Sequence, residues 1–128
     1  MKFAKIVYYA AGTWGVLVLT PMFFLFDWIS RQGPTPITYP QFFFGFLSVA
    51  MAWQFAFFVI GSDPARYRPI MIPSMVEKFG HVTTMTVLYL QARVTASDLM
   101  TAAPDLVLGV LFVLAFFKTG APSLLAKR

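Results

Sequence analysis

The sequence has no cysteine and a single histidine, His81. Disulfides, thiolate metal sites, iron–sulfur clusters and thiol redox chemistry are therefore excluded. A haem with two histidine ligands cannot be held by one such chain. Charge is also scarce: 12% of the 128 residues are charged, against about 25% in ordinary globular domains. There is no glycine-rich phosphate loop, no GxSxG elbow and no DxDxDG calcium loop. No internal repeat or low-complexity tract is evident either.

Apolar side chains fill the gap. Hydrophobic residues make up 59% of the chain, including 15 Phe, 3 Trp and 5 Tyr. A single domain of this length cannot hide so much apolar surface from water, so the remainder must face lipid. The net charge of +5 does not signal nucleic acid. The basic residues sit between apolar segments, where topology signals belong, and form no stripe on a soluble module.

These features predict an all-α integral membrane protein. It is expected to be one domain, 1–128, forming an up-down-up-down bundle of four transmembrane helices. The helices are expected at about 6–29, 40–61, 74–93 and 99–118, with an interfacial loop at 62–73. The first apolar run, Ile6 to Phe26, is too long for the core of a cleaved signal peptide and reads as a retained helix kinked at Pro21. Ala11 and Gly15 give it a small-residue face for a neighbouring helix. Gly33, Pro34, Pro36 and Pro40 mark the following loop. In the second helix, Ser48, Ala52 and Ala56 suggest a packing seam. Asp63-Pro64 opens a short turn carrying Arg66, Tyr67 and Arg68. Ser74-Met75-Val76-Glu77 matches a capping box at the start of the third helix. Thr95 or Ser97 would cap a short turn before the fourth, and Gly120 and Pro122 read as a tail.

With four spans, both termini share a side. That side collects Lys2, Lys5, Arg66, Arg68, Lys118, Lys127 and Arg128, and the other has Arg31 and Arg93. The bias places both termini in the cytoplasm, with Arg66 and Arg68 against lipid headgroups.

Candidate chemistry lies where polar residues enter the apolar segments, because intramembrane ionisable groups are costly and usually face an interior or a wet cavity. Helical rise puts Thr13, Gln54 and His81 at one depth, roughly 10 Å below the inner boundary. Glu77 lies one turn from His81 on the same face. Asp105 is expected near the opposite boundary, paired with Arg93 or Gln91 or serving the helix dipole. Gln54 is either interhelical glue or a cavity lining. Thr13, Trp14, Gln54, Glu77, His81 and Asp105 are the candidate ligand-binding set. Glu77 and His81 are the candidate pair for moving protons, Asp105 could take a ligand or a proton, and no metal site is expected from two ligands.

Three stretches carry a resemblance: Asp63 to Pro69 (D-P-x-R-Y-R-P), Pro73 to Lys78 (P-S-x-x-E-K) and Asp105 to Phe112 (D-L-V-L-G-V-L-F). With them the whole chain resembles small bacterial four-span membrane proteins of the DoxX-like kind. Its shape also resembles the EXPERA domain, a four-helix module that binds or isomerises sterols with buried acidic and histidine side chains. The resemblance implies a bacterial inner membrane and no particular activity. Three functional readings remain open. The first is a bundle binding an isoprenoid, quinone or other lipid, with no further cofactor. The second is an accessory subunit of a larger membrane complex or homo-oligomer. The third is an enzyme transferring protons on a lipid. The chain reads as a binding protein before it reads as an enzyme.

Overall fold

The computed structural model describes residues 2–33 and 36–126. Pro34, Lys127 and Arg128, which entered the loop and charge readings above, lie outside the described residues. The chain is all-helical, with no strand among the described residues. Six α-helices follow in order: α1 (Lys2–Met22), α2 (Phe26–Gln32), α3 (Pro40–Ser62), α4 (Met71–Leu90), α5 (Ala96–Met100) and α6 (Ala103–Ala126), with a 3-10 turn at Arg68–Ile70. Three stretches are long and apolar enough to cross a membrane: Lys2–Met22, Pro40–Ser62 and Ala96–Gly120. Helix α4 has the length but is diluted by Glu77, Lys78, His81 and three threonines.

Several boundaries differ from those read in the sequence. The first helix ends at Met22, because Pro21 supplies no N–H to the ladder. Tight bonds from Phe23 N to Thr20 O (3.3 Å) and Phe24 N to Pro21 O (3.0 Å) then turn the chain into α2. The stretch 62–73 is mostly helical: α3 runs through Ser62, and α4 begins at Met71. Pro73 is tolerated there because N–H groups in a first turn have no intrahelical acceptor. The capping box at Ser74 and Glu77 is consequently absent, and the α4 N-cap is Ile70 without a side-chain bond. A capping box does form at Thr95 and Asp98, where each side chain accepts from the other's backbone N–H (3.1 and 3.0 Å). Helix α4 closes at Leu90, with Ala92 at φ 59° and Arg93 N bonded to Leu88 O (2.9 Å). This is a Schellman end built on alanine instead of the usual glycine. Helix α6 continues past Gly120 instead of fraying there.

The long helices α1, α3, α4 and α6 converge on Tyr8. Its ring stacks on Phe112 of α6 (4.3 Å between centroids) and meets Phe57 of α3 edge-on (5.9 Å). Its hydroxyl pairs with the Ser74 hydroxyl of α4 (2.8 Å), which itself donates to Met71 O. Every buried polar atom of this hub has a partner, as an apolar surrounding requires. Helices α1 and α3 continue packed beyond it through Leu19, Leu47 and Ala50. The buried face of α3 is Leu47, Ala50, Gln54, Phe57, Ile60 and Gly61. The expected seam fails: Ser48 and Ala52 are exposed, and Ser48 bonds to Phe44 O of its own helix (2.9 Å).

The face at Ala11 and Gly15 does receive α3. The Gln54 side-chain amide occupies the space where a Cβ on Gly15 would stand. Gly15→Ala is therefore expected to destabilise the protein by about 1–3 kcal/mol, as overpacking of a filled core does. Gly45, which has open space at its Cβ position, is the comparison: Gly45→Ala should be neutral or stabilising. Thermal unfolding of both variants in detergent checks the pair.

Candidate functional site

Halfway along the molecule, beside the Tyr8 hub, the helices part around a cleft of about 600 Å³. One wall is the packed α1–α3 pair, presenting Trp14, Val18, Phe46, Val49 and Trp53. The facing wall carries Glu77, Lys78 and His81 of α4 and Asp105 of α6. The cleft exists because α6 starts late. His81 lies ten residues into the 20-residue α4, about 15 Å along its axis. Asp105, in the first turn of α6, is bonded to it. The C-terminal half of α4 thus has no α6 beside it.

Asp105 is the centre of the polar wall. One carboxylate oxygen accepts from the Lys78 ammonium (Nζ to Oδ1, 3.0 Å) and the other faces His81 (Nδ1 to Oδ2, 2.6 Å). The expected partners, Arg93 and Gln91, are not used. The connection between α4 and α6 folds back through α5 and delivers Asp105 to the middle of α4 instead of its C-terminal end. Lys78 is 4% exposed. Its ammonium also lies 3.5 Å from Glu77 Oε2 and 5.3 Å from the centre of the Phe57 ring. Glu77 Oε2 is buried and has no hydrogen-bond partner among the described residues. His81 is less enclosed, its side chain 34% exposed. Because Nδ1 addresses a carboxylate, a neutral ring carries its hydrogen on Nδ1 and its lone pair on Nε2. A base held in one orientation by a carboxylate, beside an apolar cleft, can accept a proton or a hydrogen bond from a bound molecule.

Of the six candidate binding residues, the structure brings five to this cleft: Trp14, Gln54, Glu77, His81 and Asp105. Thr13 is exposed and points elsewhere, because adjacent helical positions face about 100° apart. Gln54 is 3% exposed, and its Nε2 donates to Ala50 O of the preceding turn (2.8 Å), so its own backbone does provide for it. Its Oε1 lies against Gly15 without a hydrogen-bond partner among the described residues. Arg66 is exposed near the chain turn. Arg68 is instead committed to α6: Nε donates to Phe116 O (3.0 Å) and the guanidinium lies 3.6 Å from the centre of the Phe116 ring. Sequence reasoning missed Lys78. Its signal was available, as it is the only Lys or Arg in the third predicted span before Arg93.

No protein-family model matches this chain, and no curated protein or solved structure matches it either.

Removing one partner from a buried ion pair leaves the other charge uncompensated. Lys78→Met strands both Asp105 and Glu77 and is expected to cost about 3–5 kcal/mol of stability. The double variant Lys78→Met/Asp105→Asn should recover a good part of that loss. Denaturation of the two variants in the same detergent measures the difference.

Proposed function

We propose that this chain is a four-span bundle of a bacterial inner membrane, both termini cytoplasmic, that holds a lipophilic ligand in its cleft. The ligand class is an isoprenoid, a quinone or another lipid. The observation that carries the reading is the cleft itself. Its volume of about 600 Å³ falls in the range of roughly 300–1,000 Å³ typical of small-molecule sites. An aromatic wall of Trp14, Phe46 and Trp53 faces a compact polar group, the arrangement that orients an amphiphile. Helix α4 serves as the fourth span in this proposal, since Lys78 is turned against Asp105 and Phe57 and away from lipid. The basic residues at Lys2, Lys5, Arg66, Arg68 and Lys118 support the orientation.

A second reading is favoured by one observation. The His81–Asp105 contact holds an imidazole in a fixed tautomer at the edge of an apolar cleft, as acid–base catalysis on a lipid requires. Under that reading His81→Gln abolishes turnover and leaves binding intact.

Native mass spectrometry of protein extracted gently from its own membrane tests the main proposal. An added mass on the order of a few hundred daltons is expected with the wild type. It should be lost in Val49→Trp, which fills the cleft, and in His81→Ala. A bare chain arriving with a fixed protein partner would instead make it a subunit of a complex. The orientation is tested separately, using the natural absence of cysteine. In intact cells a membrane-impermeant maleimide should label Gln32→Cys and spare Arg66→Cys; the reverse pattern would invert the topology.

A further inference from the structure

The charged groups of the polar wall form a nearly closed set. Asp105 accepts from Lys78 (Nζ to Oδ1, 3.0 Å) and from His81 (Nδ1 to Oδ2, 2.6 Å). Glu77 Oε2 lies 3.5 Å from the same Lys78 ammonium. Two carboxylates therefore share one ammonium, and His81 is the only other basic side chain among the described residues of the lining. An uncompensated charge in apolar surroundings is costly. A proton on His81 brings the four groups to zero net charge. The length of the His81–Asp105 contact agrees, because bonds between ionised partners are the short ones.

That proton sets how the wall meets a ligand. A neutral ring offers a lone pair at Nε2, whereas a charged ring donates from both nitrogens. Nδ1 is taken by Asp105, so Nε2–H is the donor left over. His81 is also the group that reaches furthest into the open: its side chain is 34% exposed, against 6% for Lys78, 22% for Glu77 and 20% for Asp105. Other donors surround it. The N–H groups of Ala103 and Asp105 precede the first bond of α6, from Leu106 N to Ala102 O (3.1 Å), and have no acceptor within that helix. The indole N–H groups of Trp14 and Trp53 belong to the facing wall.

We infer that the ligand of this cleft presents an uncharged carbonyl oxygen to Nε2–H of a positively charged His81. The inference rests on the ligand-binding reading above and selects within it. Ketones, aldehydes and quinones in their oxidised form fit. A carboxylate, phosphate or ammonium head brings an unpaired charge to a wall that is already balanced. The carbonyl sits at His81, with the apolar body along Trp14, Phe46 and Trp53.

Two measurements on the purified full chain, in nanodiscs of zwitterionic lipid, test this. His81 is the only histidine, so histidine labelled with heavy nitrogen gives a single imidazole by NMR, and each ring nitrogen reports whether it carries hydrogen. Both are expected to carry it near neutral pH. A bare Nε2 overturns the inference and leaves the ligand-binding reading standing. Farnesylacetone, farnesene, farnesylamine and farnesoic acid are then titrated in, with binding read by native mass spectrometry; they put a ketone, no polar head, a cation and an anion on similar tails. The ketone is expected to bind about tenfold or more tightly than the other three, the scale of a hydrogen bond to a charged donor. It should also move the Nε2 signal, and an unmoved signal counts against the inference even where a variant fails to fold. His81→Leu removes the donor and should level ketone and hydrocarbon. A hydrocarbon, amine or acid that binds as tightly as the ketone overturns the inference alone, as does a ketone preference that survives His81→Leu. Failure of all four to bind overturns the ligand-binding reading, and this inference falls with it.

Discussion

The Asp105 carboxylate, shared between Lys78 and His81, is the contact on which the site depends. Ions removed from water cost several kcal/mol each, and their mutual attraction offsets this only with close geometry and filled hydrogen bonds. Here both carboxylate oxygens are used, one at 3.0 Å and the other at 2.6 Å. Because Asp105 stands in the first turn of α6, this contact fixes where α6 begins against α4. The start falls at mid-helix, so α6 does not run beside the C-terminal half of α4, where only the short α5 folds back against that helix, and the cleft opens against α1 and α3.

The Tyr8 hub does the opposite work a short distance away. Three aromatic rings and a paired hydroxyl close the space between the four long helices. Aromatic pairs in offset or edge-on geometry add to the area they bury, and the hydroxyl fixes which helix faces which. The molecule is therefore firmly packed at the hub and open beside it. The polar wall is supported from the packed side, since Lys78 lies one helical turn from Ser74 and close to Phe57. Residues that hold a ligand need such a supported position, because a misplaced polar group loses most of its selectivity.

Much of this was legible in the sequence, and the parts that were not have definite causes. Helical character and three of the four expected spans follow from composition and segment length, which are local. Gln54, Glu77 and His81 were recognisable because polar groups in apolar segments are conspicuous. The Ser74 cap was misread because a capping box and a hydroxyl buried between helices share one sequence pattern. Only the position of Met71 as the first α4 residue separates them. The Ser48–Ala52–Ala56 seam was misread because small residues occur on lipid-facing surfaces as readily as on packed ones. Helix α3 instead buries the face of Gln54 and Phe57, and the cause is Gly15 on another helix.

The sequence by itself determined that segments of this chain are long and apolar enough to cross a membrane, the helical state of its backbone and the short list of side chains able to do chemistry. Each of these depends on residue type and spacing within one segment: apolar runs need lipid, and a backbone in lipid must bond internally. Only the tertiary structure decided which of those side chains meet. Asp105 and His81 are separated by a reversal of the chain through α5, and Lys78 becomes the partner of both acids only once α6 is laid against α4. Pairing across such a reversal depends on where each helix starts and stops, and those positions are set by contacts distant in sequence.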